Sequence, residues 1–229
     1  IEAHQAISRH TSVYGDVPHS AAERGMLVLT PEALEGRWEL GGTGADADFL
    51  IGLLDDVASR YCVDPDRVHL MGMSLGAWKA AATACSFPDR FASAALVTVE
   101  VFPGTCEPLP VIAFHGTADP TVAYGPGGGT VDDADTVNAG LPGALANIAA
   151  WAQSGGCDPE AEDSTIGADV QRRRFNGCDE GIGVELYTIV GGGHTWPGAD
   201  VDLGDPALTT DTIDATQLAL DWFEAHPAR

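Results

Sequence analysis

Short apolar runs alternate along the chain with longer stretches rich in alanine and leucine. The short runs cover residues 26–30, 67–71, 94–99, 111–115 and 184–190. Each is largely apolar, as a strand buried on both faces of a sheet must be. The longer stretches, 46–61, 75–86, 141–153 and 211–224, fit helices, and in the last of them Ile213, Leu218, Leu220, Trp222 and Phe223 fall largely on one stripe. Strand–helix alternation predicts an α/β fold, with a mainly parallel central sheet and helices on both faces. Two irregular stretches interrupt the pattern, residues 124–140, rich in Gly and Asp, and 155–177. Loops of that length in a compact domain are usually functional or mobile. No repeat, low-complexity tract or linker divides the chain, so residues 1–229 read as a single domain.

The charge balance narrows the partners. Eleven basic against 34 acidic residues leave a net charge of −23, which repels nucleic acid and anionic membrane surfaces. Arg172, Arg173 and Arg174 form the one basic cluster, and Lys79 is the one lysine. No apolar run reaches the roughly 18 to 20 residues that span a bilayer. The sequence opens at Ile1 without an initiator Met or a basic-then-apolar leader, from which a removed signal peptide and a secreted, extracellular protein are expected. Five cysteines agree with an oxidising compartment. Cys157 and Cys178 flank a polar segment that a disulfide would staple, contributing about 3 kcal/mol by the chain-entropy argument. Cys62, Cys85 and Cys106 allow one further bridge and leave one thiol over. None of the five has metal-ligand spacing.

Candidate chemistry centres on Gly72-Met73-Ser74-Leu75-Gly76, a G-x-S-x-G pentapeptide between an expected strand and an expected helix. Such a turn strains the central residue and presents its hydroxyl at a helix N-terminus, where free N–H groups favour negative charge. A serine hydroxyl needs a base, and the base needs an orienting acid. Asp119 follows the 111–115 strand. His194 follows the 184–190 strand, on a loop opened by Gly191, Gly192 and Gly193. The order Ser, Asp, His is that of a hydrolase triad. His4, His10 and His19 precede the serine, His69 lies inside a strand, and His226 lies beyond the last helix. His115, beside Gly116 on the acid-bearing strand, is read as structural. Asp132, Asp133 and Asp135 are rival acids, read as a solvated acidic face. The Leu75 N–H supplies the first oxyanion donor, and a second is expected from an earlier loop.

These residues resemble a known family. Gly72-Met-Ser-Leu-Gly76, Phe114-His-Gly-Thr-Ala-Asp-Pro120, Gly191-Gly-Gly-His-Thr-Trp-Pro-Gly198 and Tyr61-Cys-Val-Asp-Pro-Asp-Arg67 look like the secreted polyhydroxybutyrate depolymerase and feruloyl esterase group of the α/β-hydrolases. The Cys157 and Cys178 pair matches as well. The likeness runs from about Ala22 to the C-terminus, and the His-Thr-Trp-Pro segment is its most specific part. It implies cleavage of hydroxyalkanoate polyesters or oligoesters through an acyl-enzyme, or of feruloyl or acetyl esters on plant polysaccharide, with no cofactor and no metal.

The departure is at the front. The family places a strand ending in His-Gly-x-x-Gly before the segment matching Ala22 to Met26, and nothing like it stands there. The expectation is a domain lacking its N-terminal strands and His-Gly oxyanion loop, unless the hole is built differently. One lost donor costs roughly 10² to 10³ in rate. Trp196, two residues past His194, is expected to wall the acyl pocket. Trp38, on a Gly-rich loop at the same end of the sheet, is expected to stack on an aromatic or sugar substrate. A reading of another class is a hydrolase fold that binds a polymer without cleaving it.

Overall fold

Both faces of the central strands are apolar, and each face supports its own core. Strand β3 (Ser93–Val97) sends Ala94 and Leu96 to one side and Ala95 and Val97 to the other. Strand β4 (Val111–Gly116) divides in the same way, Val111 and Ala113 against Ile112 and Phe114. In β7 (Val184–Ile189), Val184 and Leu186 oppose Tyr187 and Ile189. This period of two on a doubly buried sheet is why these strands read as unbroken apolar runs. The computed structural model describes residues 2–3, 15–126, 142–199 and 208–228.

With β1 (Glu2–Ala3), β2 (His69–Met73), β5 (Ala161–Ile166) and β6 (Val170–Phe175), the strand order is β1-β2-β3-β4-β7-β6-β5. The first five of these in the sheet run parallel. Strand β6 is antiparallel to β7, and β5 to β6. Helices α2 (Ala45–Arg60), α3 (Leu75–Ser86) and α4 (Ala144–Ser154) contribute to the core on one face. Helices α1 (Val17–Glu23) and α5 (Ala215–Ala225) contribute to the core on the other. The alanine content of α3 has a packing reason: Ala77, Ala80, Ala81 and Ala84 form the stripe laid against the sheet. The expected mainly parallel sheet, covered by helices on both sides, is therefore the observed architecture.

Three expectations change. Among the described residues, 26–30 have no strand partner, and Leu27 is 60% exposed. Residues 26–29 line a groove of about 500 Å³ together with Val17, Met71 and Phe223. Residues 155–177 are not irregular, because they contain the β5–β6 hairpin at the sheet edge. An edge hairpin facing solvent needs no apolar run; β5 reads Ala-Glu-Asp-Ser-Thr-Ile and is mostly exposed. Its support is cross-strand charge: Arg173 makes a bidentate pair with Asp163 at 2.8 and 2.7 Å, and Arg172 one with Glu185 of β7 at 2.8 and 2.5 Å. The basic cluster is thus spent within the sheet. Third, the last helix begins at Ala215 and not near residue 211, because the Asp214 carboxylate caps it by accepting the Gln217 N–H at 3.0 Å.

Two disulfides form, Cys157–Cys178 at the base of the hairpin and Cys85–Cys106, leaving Cys62 as an exposed thiol. Lys79 lies wholly inside, its ammonium donating to the Gly41 carbonyl at 2.8 Å. Burial pushes its pKa down, against the pull of Asp46, Glu39 and Asp48. Asp132, Asp133, Asp135, His4 and His10 lie outside the described residues.

Candidate active site

Ser74 sits where β2 turns into α3, with φ 57° and ψ −126°, a backbone conformation that L-residues avoid. The flanking Gly72 permits it: a Cβ there would lie 2.3 Å from the Gly76 carbonyl oxygen. The Ser74 N–H is shared between the Val97 carbonyl at 3.0 Å and the Thr98 hydroxyl at 3.2 Å, which ties the turn to the end of β3. Helix geometry leaves the Leu75 N–H without an intrahelical acceptor. It lies at the positive end of the α3 dipole.

Asp119 is held by the turn after β4. Its Oδ1 accepts the N–H groups of Thr121 and Val122, each at 2.8 Å. Its Oδ2 lies 2.8 Å from Nδ1 of His194. The carboxylate is fully buried and the imidazole is 16% exposed. Burial pushes the Asp119 pKa up, but hydrogen bonds from His115 and His194 and from the Val122 N–H hold it well below the usual carboxylate range.

Two loops bring this pair together. The loop after β7 lies directly on the end of β4, where a Cβ on Gly116 would meet the Gly192 carbonyl oxygen at 2.2 Å. Ala118 N–H donates to the Gly192 carbonyl at 2.8 Å, and Gly191 N–H to the Thr117 hydroxyl at 2.8 Å. The acid and the imidazole are thus fixed to one another by backbone contacts as well as by their own hydrogen bond. Ser74, Asp119 and His194 all follow the carboxyl ends of strands in one sheet, β2, β4 and β7.

The two tryptophans expected to meet substrate are both buried. Trp196 is 0% exposed, packed in the α5-side core with its Nε1–H donated to the Thr216 hydroxyl at 3.0 Å. Trp38 is 2% exposed and packs with Ala33 and Leu50. A large ring with an N–H gains more from burial with a partner than from standing at a wet rim. The groove lined by residues 26–29 includes none of Ser74, Asp119 and His194. Among the described residues no group of three His, Cys, Asp or Glu side chains is placed to hold a metal ion.

Two neighbours of the site escape a reading by motif. Glu100 stands in the run Val-Thr-Val-Glu-Val, where an acid in an apolar stretch signals a buried charge that must be paired. It is paired with His115, at 2.8 Å. Thr98, at φ 64°, carries no sequence signal.

A family model described as esterase PHB depolymerase matches residues 36–123. Feruloyl esterase B of Piromyces equi is 30% identical over 190 residues, covering 76% of this chain and 35% of that protein. Feruloyl esterase D of Neurospora crassa is 22% identical over 204 residues, covering 87% and 64%. This chain therefore spans about a third of the first relative and just under two thirds of the second. Among solved structures, an acetyl xylan esterase from Aspergillus awamori superimposes with a TM-score of 0.58 at 16% identity, covering 98% of this chain and 87% of that one. That likeness shows the fold.

Proposed function

We propose, for a chain that is an α/β-hydrolase of the polyhydroxybutyrate depolymerase and feruloyl esterase type, that it is a serine hydrolase of carboxylic esters. His194 takes the Ser74 proton, and the serine oxygen attacks the ester carbonyl. The Leu75 N–H donates to the oxyanion. Collapse of the tetrahedral intermediate expels the alcohol, which receives the proton from His194, and leaves an acyl-serine. Water, deprotonated by the same imidazole, then releases the acid. Asp119 accepts from Nδ1 throughout, holding the tautomer in which Nε2 is the base and stabilising the imidazolium. The Ser74–His194 hydrogen bond is the contact this proposal adds to the geometry above.

The observation that carries the reading is the 2.8 Å Asp119–His194 contact at the rim where the strained Ser74 turn also ends. The substrate class assigned first is the hydroxyalkanoate polyester or oligoester, supported by the family description. A second reading, feruloyl or acetyl esters of plant polysaccharide, is favoured by the names of the relatives. Two disulfides support a secreted, extracellular setting.

A serine-directed phosphonate tests the enzyme reading. Covalent labelling at Ser74 is expected; a folded protein that takes no label would be a polymer binder instead. Hydroxybutyrate oligomers, methyl ferulate and acetylated xylan, compared by kcat/KM, then rank the substrates.

A further inference from the structure

Behind the acid of the site lies a second carboxylate–imidazole couple to which ester hydrolysis gives no role. His115, at the end of β4, and Glu100, just past β3, have side chains only 1% and 2% exposed. The Glu100 Oε2 lies 2.8 Å from His115 Nδ1, and the Val122 carbonyl oxygen lies 3.1 Å from Nε2. A carbonyl can only accept, so Nε2 carries a proton. An ionised carboxylate also only accepts, so Glu100 in that form requires a proton on Nδ1 as well. The other groups facing the ring are few. Asp119 Oδ2 lies 3.5 Å from Nε2. Tyr124 stands edge-on, with ring centroids 5.5 Å apart and its phenol paired with Thr188, and burial pushes its pKa up, so it is neutral. His194 is on the far side of Asp119. One buried carboxylate oxygen is therefore flanked by two imidazoles.

Burying an ion pair costs several kcal/mol per ion before the attraction is counted, and an apolar pair of similar volume would pack as well. What an apolar pair cannot do is present positive charge to Asp119.

We propose that Glu100 and His115 are positioning residues for the esterase, a buried ion pair whose imidazolium keeps the Asp119 carboxylate ionised and turned toward His194. The catalytic consequence rests on the hydrolase reading; the charge state of the ring does not. Burial alone would push the His115 pKa down, but Glu100 and Asp119 outweigh it and raise it to about 10. The ring therefore keeps its charge across neutral pH. Val122 completes the device, because its N–H donates to Asp119 Oδ1 while its carbonyl accepts from His115.

The test uses the whole chain with both disulfides intact. Imidazole nitrogen NMR of the wild type should find both His115 nitrogens protonated, with no titration from about pH 6 to about pH 9. An unprotonated Nδ1 in that range, which would mean a neutral ring facing a protonated Glu100, overturns the ion pair. A double variant, Glu100→Gln with His115→Gln, leaves neutral hydrogen-bonding groups at both positions. Removing the positive end that faces Asp119 should raise the His194 titration midpoint. On a soluble ester, kcat should fall about tenfold or more, with KM little changed. An unchanged His194 midpoint in the folded double variant overturns the positioning role. If that variant does not fold, Glu100→Gln alone must move the same midpoint, and a fixed midpoint has the same meaning. A wild type that neither takes the phosphonate nor turns over ester refutes the hydrolase reading by itself, while both midpoints still decide the couple.

Discussion

Ser74 and Thr98 lie at the ends of neighbouring strands with φ of 57° and 64°, and the Thr98 hydroxyl accepts the Ser74 N–H at 3.2 Å. The positions just past the last paired residues of β2 and β3 thus both hold a positive φ, and one of them is β-branched, which makes it a true outlier. The Thr98 N–H, bonded to the Phe114 carbonyl at 2.7 Å, anchors it from the β4 side. The serine turn is therefore braced across three strands.

Replacing Thr98 with Val keeps the shape and removes the acceptor. Thr98→Val should lower stability by about 1 kcal/mol, with slower phosphonate labelling of Ser74, whereas Thr98→Ser should retain both properties. Urea unfolding and inactivation rates check this. A Val variant that matches the wild type in both would mean that the hydroxyl does not hold the turn.

Ser74→Ala should remove phosphonate labelling and leave the melting curve unchanged. Asp119→Asn is more informative. The Thr121 and Val122 N–H groups would take the amide oxygen and so point the amide NH₂ at His194. Nδ1 would then have to accept, Nε2 would carry the proton, and the base would be lost. A fall in kcat of about 10⁴ is expected. A near-normal rate would move the acid role to another residue.

Gly116→Ala would put a methyl group 2.2 Å from the Gly192 carbonyl oxygen. The loop that carries His194 must then lift. Stability should drop by about 1–3 kcal/mol, and kcat should fall more than KM rises. Steady-state kinetics together with a thermal melt separate this from simple unfolding.

Stability should peak near pH 6.5. His115 is held at about 10 in the folded chain, above its unfolded value of about 6.5, so its contribution is complete below 6.5 and lost as pH rises toward 10. His69 behaves oppositely. Burial lowers its pKa to about 3, where it stacks on Phe223 and hydrogen-bonds Ser93. The unfolded chain takes up a proton below about 6.5 that the folded chain refuses, so that contribution disappears as pH falls from 6.5 toward 3. The depressed carboxyl of Asp119 adds a loss below about pH 4. Melting temperature against pH should show both limbs. The Glu100→Gln, His115→Gln double variant should flatten the alkaline one, and a limb unchanged in that variant would deny His115 this part.

The parallel core strands were legible because burial on both faces leaves no room for polar residues, and the serine turn was legible because glycines mark close backbone approach. The β5–β6 hairpin was not. Its stability comes from residues opposite one another across the sheet, such as Arg173 and Asp163, and such pairing does not show in a linear pattern. Residues 26–30 carried the pattern of a strand, yet among the described residues they have no ladder neighbour. The burial of Trp196 and Trp38 was not legible for another reason. Proximity in sequence to a catalytic loop says nothing about which way a side chain points, and both indoles turn inward. His115 was legible as a buried residue of the acid strand, but its partner Glu100 lies 15 positions away, and the pairing exists only in three dimensions.

The chain's one lysine lies inside, against the Gly41 carbonyl. No side-chain amine is consequently open to aldehydes, reducing sugars or amine-directed coupling reagents. Glutaraldehyde or succinimidyl reagents would find no lysine at the surface of this chain, and side-chain attachment to a support would go through carboxylates or the Cys62 thiol.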